Sequence, residues 1–568
     1  MRDPRTGTPG TGTPGGELSR RGFLRGATAT ALLATAGSTL LSACGSTGPA
    51  QQASSASQVT LPSYYPQATG ITPDLPGTAL GVPDAFYNYP AAPVAAFSSP
   101  PLSGGTISGI TTIFNSPPPG AGSNPAWQEV QKRLGATVNI NMVVADDYDT
   151  KLSTVIAGGN MPDLMLYDGT GMTDVPQFLE AECADLGPLL GGDKIKDYPH
   201  LAAIPKIFWE QCTANGELYF LPIPRSVSAG SGFYHQEMLA AAGVSSTQQI
   251  RDSGDFLGLL KDLTSPSQGR YALAGATTNG GYSAIIFHHV FGTPNVWRAD
   301  GAGKLTNAYE TDEYKAAVAF MVQVYKAGCY YPGSQGWTKT QMENAFQAGK
   351  AAFIYDGLPG FGTAATTMQK IDPAFRPMPI VPFGHAGGKG ITWQDNVIYA
   401  RTMLKKGSTA HLQDVLKACD FFAAPFGTEE YLLMHYGVAG RDYSLDANHN
   451  PVLTTQGNND TQVPWKYLAA PQNVLYTPGA DAVTKVTYEA YADIVPMAVA
   501  NPCAALFSPT DGTKGAALDQ AFSDAVGQVI SGQAPMSAFD SAVTAWQNGG
   551  GNQIRTEYEQ AYAHAGTK

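Results

Sequence analysis

Thr106-Ile107-Ser108-Gly109-Ile110-Thr111-Thr112-Ile113-Phe114 has the β-branched composition of a strand, and it ends at Asn115 before a proline-rich loop. The residues that follow alternate between helical and strand-like apolar spacing. Such an alternation, at these lengths, predicts a parallel α/β sheet. The predicted order is strand 106–114, helix 124–134, strand 138–144, helix 148–156 and strand 164–167.

Polar side chains follow two of these strands. Asn115 comes directly after the first strand, and Asp168 comes directly after the third. Ligands of open α/β sheets bind outside the carboxyl ends of the strands. The sequence therefore predicts a cleft at this edge of the sheet, with Asn115 and Asp168 as candidate ligand contacts.

The first 44 residues have the order of an export signal. Arg20-Arg21 precedes a moderately apolar run, 27–41, that is followed by Ser42-Ala43-Cys44. The run is too dilute in apolar residues to match the ~20 that cross a bilayer. The arginine pair resembles a twin-arginine signal, and Leu41-Ser42-Ala43-Cys44 resembles a bacterial lipobox. We expect export, removal of residues 1–43 and a lipid anchor on Cys44 at the extracellular face of the cell membrane. An ordinary secretory signal with a chance cysteine is the alternative.

Residues 44–104 are rich in serine, proline and alanine and carry hardly any charge, which is typical of a tether. The aromatic residues of the second half are unusual for a pure linker. Composition leaves open whether residues 60–104 pack on the folded body.

Charge and length restrict the classes of function. The chain has 568 residues and a net charge of −12, and loss of residues 1–43, with five basic and two acidic side chains, makes the charge −15. An acidic body argues against nucleic acid and suits a small neutral or cationic ligand. The length predicts two lobes or domains.

The cysteines indicate no metal cluster. Besides Cys44 there are five, none spaced as C-x-x-C, so we expect neither a zinc site nor a redox pair. Cys419 lies in an apolar helical pattern and is predicted to be buried. The sequence leaves the disulfide state open for Cys183, Cys212, Cys329, Cys419 and Cys503.

Four stretches carry a resemblance to a known family. They are Ala157-Gly158-Gly159-x-Met161-Pro162-Asp163-Leu164, Asn215-Gly216-Glu217-Leu218-Tyr219-Phe220-Leu221-Pro222, Ala345-Phe346-Gln347-x-Gly349-Lys350-Ala351-Ala352-Phe353 and the terminal segment 537–558. Together they resemble bacterial extracellular solute-binding proteins of family 1, in particular the larger oligosaccharide-binding branch. These proteins are the capture lipoproteins of ABC importers.

The resemblance implies a two-lobed α/β fold of the type II periplasmic-binding-protein kind, with a hinge and an interlobe cleft. The chain is expected to cross the hinge near residues 221–232, near 391–400 and once within 465–500. The expected division is signal 1–43, tether 44–104, lobe 1 at 105–222, lobe 2 at 223–395, a lobe 1 return at 396–465 and a lobe 2 return at 466–568.

A cleft that binds a sugar needs flat aromatic faces for stacking and a few polar groups that form hydrogen bonds with the sugar hydroxyls. The candidates stand near the expected crossings, near strand ends and in loops. By contrast, Trp127, Trp209 and Trp546 lie on apolar helical patterns and are predicted to be core. The candidate ligand contacts are Trp393, Asp395, Asn396, Tyr355, Asp356, Arg225, Tyr282, Trp297, Trp337, Asp168 and Asn115.

Motifs for catalysis or metal binding are missing from the sequence. There is no G-x-S-x-G, H-E-x-x-H or G-x-x-x-x-G-K-[ST]. The segment 262–269, where the family branch often binds calcium, has one carboxylate, and 446–451 is interpreted as a surface turn. We expect no metal and no cofactor.

These observations predict a monomeric receptor that binds a sugar or oligosaccharide and delivers it to the membrane subunits of an ABC permease. A receptor for a peptide or another polar nutrient is one alternative. A surface hydrolase of polysaccharides, with two carboxylates brought together by folding, is the other.

Overall fold

The computed structural model describes residues 59–566, apart from 67–69, 79, 170, 171, 173, 174, 215, 229, 276–283, 395, 396 and 505. Four predicted sites, Cys44, Tyr282, Asp395 and Asn396, lie outside the described residues, as does the predicted signal 1–43.

The strands are β1 Ala85–Phe86, β2 Thr106–Ile113, β3 Thr137–Val144, β4 Leu164–Tyr167, β5 Thr213–Ala214, β6 Glu217–Leu218, β7 Phe220–Pro224, β8 Phe233–His235, β9 Tyr271–Leu273, β10 Trp297–Ala299, β11 Leu305–Asn307, β12 Ala351–Ile354, β13 Pro377–Pro379, β14 Thr392–Trp393, β15 Ile398–Leu404, β16 Tyr443–Leu445, β17 Pro451–Leu453, β18 Leu475–Tyr476 and β19 Ala498–Val499.

The α-helices are α1 Pro125–Leu134, α2 Tyr148–Ala157, α3 Val175–Glu182, α4 Gly187–Leu190, α5 Pro199–Ala202, α6 Lys206–Trp209, α7 Gln236–Ala241, α8 Ser253–Asp262, α9 Ala284–Phe291, α10 Asp312–Lys326, α11 Lys339–Gln347, α12 Leu358–Ile371, α13 Thr409–Phe422, α14 Glu429–Tyr436, α15 Thr455–Asp460, α16 Asp481–Ile494, α17 Ala516–Ile530, α18 Ser537–Trp546 and α19 Asn552–Gly566.

Lobe 1 is built on a five-stranded sheet in the order β3-β2-β4-β15-β7. β2 pairs in parallel with β3 and β4, whereas β15 runs antiparallel to β4 and β7. The predicted strand–helix–strand–helix–strand order of residues 106–167 is confirmed. The first helix begins where the Asn124 side chain accepts the Trp127 N–H at 3.1 Å, and it ends at Gly135, whose φ is 79°.

Lobe 2 contains a four-stranded sheet in the order β13-β8-β12-β9, in which β9 and β12 are parallel. A separate apolar core surrounds it and includes Phe256, Phe287, Phe320 and Phe353. The C-terminal helices add Trp546, whose predicted burial is confirmed along with that of Trp127 and Trp209. Each lobe thus buries its own sheet, and the chain passes between them after β7, before β15 and between Ala470 and Leu475.

The segment before β2 packs on this body, and we name residues 59–104, so far as they are described, the N-terminal strap. It meets lobe 1 first, where Pro62 bridges Gly192. β1 then pairs in parallel with β18, next to the third crossing, and Val82 and Ala85 are buried among lobe 2 residues. It returns to lobe 1 at Tyr89, which packs on Phe426. The strap therefore contacts both lobes and the hinge.

The cysteines Cys183, Cys212, Cys329, Cys419 and Cys503 are free thiols, and all five are buried. The predicted burial of Cys419 is confirmed. Burial raises the pKa of Cys212 to about 12, so this thiol stays protonated at neutral pH. No helix in the described part of the chain is both long and apolar enough to span a bilayer.

Candidate functional site

The carboxyl ends of β2, β4 and β7 meet at one edge of the lobe 1 sheet. Asn115, Asp168 and Arg225 follow these three strands, so the structure brings three predicted site residues to the same edge. Because β15 runs the opposite way, its first residues, including Tyr399, lie at this edge too. The edge is where the sequence predicted a cleft.

Three aromatic rings form a surface at this edge, which we name the aromatic platform: Phe114, Tyr399 and Tyr467. The ring centroids are 5.2 Å apart for Tyr399 and Tyr467, 5.8 Å for Phe114 and Tyr467, and 6.5 Å for Phe114 and Tyr399. Phe114 is 58% exposed, which is unusual for a phenylalanine. Exposed aromatic faces at a strand edge can stack on the apolar faces of a sugar ring.

Polar groups surround the platform. Asn115 Nδ2 donates to Gln462 Oε1 at 2.9 Å, and the Arg225 guanidinium carbon lies 5.7 Å from the centroid of the Tyr399 ring. Burial above all, together with Tyr467 and Asp168, raises the pKa of Tyr399 far above its ordinary value. The Tyr399 hydroxyl therefore remains protonated and can donate to a ligand hydroxyl.

The sequence predictions did not include the platform residues. Phe114 could have been found, since it precedes Asn115 at the end of the first strand. Tyr399 and Tyr467 could not, because an antiparallel strand and a loop far along the chain bring them to this edge.

The corresponding edge of the lobe 2 sheet holds three predicted residues. Tyr355 and Asp356 follow β12, and Asp356 Oδ1 lies 2.9 Å from Lys339 Nζ. The Trp337 ring is half-buried, with its centroid 4.7 Å from that of Tyr331. A single helical turn before Trp337 is attached to the end of β9, since Ser334 Oγ donates to the Gly275 carbonyl at 2.9 Å.

Trp393 lies on the lobe 2 side of the second crossing and is half-buried. Its strand, β14, pairs with β19. Its indole N–H donates to the Thr293 carbonyl at 2.8 Å, and its ring stacks on His288 with centroids 5.8 Å apart. The orientation of Trp393 is therefore fixed by the protein before any ligand binds.

A serine and a histidine meet beside Trp393. Ser231 Oγ and His289 Nδ1 are 2.6 Å apart, and His289 Nε2 accepts the backbone N–H of Trp393 at 3.2 Å. A backbone N–H only donates, so the proton of neutral His289 is on Nδ1 and is given to Ser231. His289 is thus not placed to accept the serine proton, and both side chains are buried. The pair connects the first crossing to the second.

Trp297 was predicted to contact ligand, and the structure contradicts this. Its side chain is 3% exposed, and its ring contacts those of Trp546 and Tyr558 at centroid distances of 6.1 and 5.8 Å. The residue belongs to the core under the C-terminal helices, because β10 turns it inward. We remove it from the candidate site.

The turn at Asp446 has the structure expected of a surface turn. Asp446 Oδ1 accepts the N–H groups of Asn448 and Asn450, each at 2.8 Å, between β16 and β17. The described residues contain no group of three His, Cys, Asp or Glu side chains that could hold a metal ion.

A cavity of about 770 Å³ lies between the two lobes. Helices α12 and α16 of lobe 2 form one wall, and the end of α14, β17 and α15 of lobe 1 form the other. Residues 473–480, next to the third crossing, close the space between these walls. Its size is within the usual range of ligand pockets.

Short stretches of chain lead from the cavity lining to both strand edges. On lobe 2, Leu358 lines it and comes two residues after Asp356. On lobe 1, Asn458 lines it, its carbonyl accepts from Gln462 Nε2 at 2.9 Å, and Gln462 is the partner of Asn115. We take the platform, the Asp356 edge and the cavity together as the candidate interlobe site, because short chain segments join them.

Comparison with known proteins identifies the class. The sequence model of the bacterial extracellular solute-binding protein family matches residues 126–440, and the chain belongs to this family. The two-lobed type II periplasmic-binding-protein fold predicted from the sequence is confirmed.

Two Bacillus subtilis (strain 168) proteins are similar along most of their length. Lipoprotein LipO is 22% identical over 463 residues, which are 79% of this chain and 90% of LipO. The polygalacturonan/rhamnogalacturonan-binding protein YtcQ is 23% identical over 475 residues, which are 81% of this chain and 91% of YtcQ. Among solved structures, the Streptococcus pneumoniae ABC-transporter substrate-binding protein FusA in complex with kestose has a TM-score of 0.60 at 16% identity, with 82% of this chain and all of FusA covered.

Proposed function

We propose that this protein is the extracellular, lipid-anchored receptor of an ABC importer and that it captures a sugar or oligosaccharide between its lobes. The aromatic platform carries the proposal, because it places an exposed stacking surface beside polar groups that can form hydrogen bonds with sugar hydroxyls, at the edge of the lobe 1 sheet. Hinge closure would then bury the ligand between platform and lobe 2. Trp337, Tyr355, Asp356 and Trp393 are the proposed lobe 2 contacts.

The family and the named ligands of its relatives support this choice of ligand. YtcQ is named for binding polygalacturonan and rhamnogalacturonan, and FusA was solved with kestose. We propose that the closed receptor works as a monomer and docks on the membrane subunits of the permease. A peptide or another polar nutrient is the alternative ligand, since fold does not fix the ligand.

A thermal-shift screen against mono- and oligosaccharides, with peptides and amino acids alongside, tests the proposal. A ligand at 100 times its Kd adds about 2.7 kcal/mol to the unfolding free energy. We expect sugars to raise Tm and to be recovered unchanged by chromatography. A rise in Tm with peptides alone would contradict the proposal that the ligand is a sugar. Conversion of an added sugar to products would show that the protein is a hydrolase.

Replacing Phe114 with Ala is expected to weaken sugar binding by about 1–3 kcal/mol, because the stacking surface is lost. Isothermal titration calorimetry measures the change. Phe507 provides the matched control, since it is also 58% exposed but lies among the C-terminal elements. Equal loss in Phe507→Ala, or wild-type affinity in Phe114→Ala, would remove the platform from the site.

Replacing Cys44 with Ala is expected to release the protein from membranes into the medium, because the thiol that would carry the lipid is gone. Fractionation of cells followed by immunoblotting measures the distribution. Cys503→Ala is the control, because this buried thiol is within the folded body. Unchanged membrane association of Cys44→Ala would contradict the anchor.

A further inference from the structure

Val296 has a backbone conformation that valine rarely adopts. Its φ is 60°, in the left-handed region, where a β-branched side chain crowds the backbone. The Trp297 N–H donates to the Asn295 carbonyl at 2.7 Å, so Val296 is the middle residue of a γ-turn with positive φ, which is the rare and strained kind. Glycine would fit this position without strain. Backbone strain persists where the surrounding structure holds it, and it is concentrated at binding and catalytic sites.

The strained turn is attached to the strand that carries Trp393. The Asn295 side chain is 8% exposed, and its Nδ2 donates to the Gln394 carbonyl at 2.7 Å and to the Val499 carbonyl at 3.0 Å. In the same loop, the Thr293 carbonyl accepts the indole N–H of Trp393 at 2.8 Å. The residues that precede the middle of the turn therefore fasten it to β14 and β19.

Val296 and Val499 add an exposed apolar surface to Trp393. Val499 lies opposite Trp393 in the parallel pair of β14 and β19, so the two side chains share one face, and Val499 is 36% exposed. Val296 is 49% exposed, although its neighbours Asn295 and Trp297 are buried. We name Val296, Trp393 and Val499 the lobe 2 wall. Exposed apolar side chains that are grouped, unlike single ones, indicate a binding surface.

The lobe 2 wall lies at the second crossing, on the side opposite to the aromatic platform. Trp393 precedes Tyr399 of the platform by six residues, so their Cα atoms are at most about 20 Å apart. An oligosaccharide can span such a distance. The two valines of the wall differ from the tyrosines of the platform, because a valine side chain cannot form a hydrogen bond with a hydroxyl.

We propose that Val296 is a ligand contact that determines specificity. The lobe 2 wall receives the C–H face of a sugar ring, and the strained turn keeps the Val296 side chain at that surface. A ring that turns a hydroxyl toward the wall would lose hydrogen bonds with water and gain none, so it is bound more weakly. This inference rests on the proposed function, namely that the two lobes close on a sugar.

Two substitutions of Val296 separate the effect of its side chain from that of its backbone. Val296→Thr keeps the shape and the strain but replaces a methyl group with a hydroxyl, so we expect sugar affinity to fall about 3- to 10-fold with Tm unchanged. Val296→Gly removes both the side chain and the strain. We expect its affinity to fall about 5- to 30-fold, while its Tm is at least that of the wild type.

Isothermal titration calorimetry and thermal unfolding of the purified protein measure these changes. The probes are tri- and tetrasaccharides of glucose, galactose, mannose, xylose, fructose and galacturonic acid, and the sugar that binds the wild type most tightly is then used with every variant. His449→Gly is the control for the backbone, because His449 also has a positive φ, of 67°, but is exposed in the turn between β16 and β17. Val94→Thr is the control for an exposed valine, because Val94 is 45% exposed in the strap. Both controls should keep wild-type affinity.

The outcomes separate this inference from the proposed function. Wild-type or higher affinity in Val296→Thr would overturn the contact and leave a sugar receptor, whatever Val296→Gly shows. A Tm of Val296→Gly well below that of the wild type would contradict the strain. Binding of no sugar of the panel by the wild type would overturn both the contact and the proposed function.

Discussion

The protein is expected to lose several kcal/mol of its unfolding free energy between pH 7 and pH 5. His288 and His289 are 1% and 2% exposed, and burial lowers the pKa of each to about 3. In the unfolded chain their pKa values are near 6.5. Below pH 6.5 the folded protein therefore keeps both histidines neutral, whereas the unfolded protein binds protons on them. Their contribution to the unfolding free energy is fully present above pH 6.5 and is lost progressively as the pH falls toward 3.

Each histidine contributes about 1.4 kcal/mol per pH unit in this window, or about 2 kcal/mol at pH 5. The groups that face His289 are Ser231 and the Trp393 N–H, and neither can stabilise a second ring proton on Nε2. Protonation must therefore break the contact that connects the first and second crossings.

Urea unfolding at pH 7.5, 6 and 5 measures the loss. His289→Gln removes one of the two groups, so we expect its stability to fall about 2 kcal/mol less than that of the wild type over this range. His385→Gln is the control, since this histidine is exposed. An identical pH dependence in His289→Gln and wild type would contradict the assignment.

Replacing Tyr89 with Ala is expected to lower the unfolding free energy by about 3–5 kcal/mol, although Tyr89 belongs to a segment with the composition of a linker. The side chain is 2% exposed and packs on Phe426, Tyr431 and Tyr476. Its hydroxyl donates to the Thr428 carbonyl at 2.6 Å, so truncation also leaves a buried acceptor unpaired.

Thermal and urea unfolding measure the effect. Tyr89→Phe removes the hydrogen bond alone and should cost about 1–3 kcal/mol. Tyr64→Ala is the control within the strap, because Tyr64 is 48% exposed. A melting temperature of Tyr89→Ala equal to that of Tyr64→Ala would mean that the strap does not contribute to stability.

The sequence predicted the lobe 1 sheet because, from residue 106 to 167, the spacing of apolar residues and the lengths of the segments both indicate alternating strands and helices. It also predicted that Asn115 and Asp168 lie at one edge of this sheet, since both follow parallel strands, and Arg225 follows β7 at the same edge; that they bind ligand stays a prediction. Tyr399 and Tyr467 were missed, because they reach the edge through antiparallel and loop segments that local patterns do not place. Trp297 was wrong, because a tryptophan in a loop-like sequence can equally belong to a core.

Because the strap packs on the body, the free chain between Cys44 and the folded body is shorter than the whole segment before β2. A receptor anchored at Cys44 could therefore move less far from the membrane. Only 17 residues separate Cys44 from Pro62, where the strap first pairs with the body. Fully extended, such a length spans about 60 Å, whereas a free chain as far as residue 104 would span about 200 Å. A receptor lipidated at Cys44 would therefore stay within reach of the membrane surface, and its loaded cleft would meet the importer without a long diffusive search.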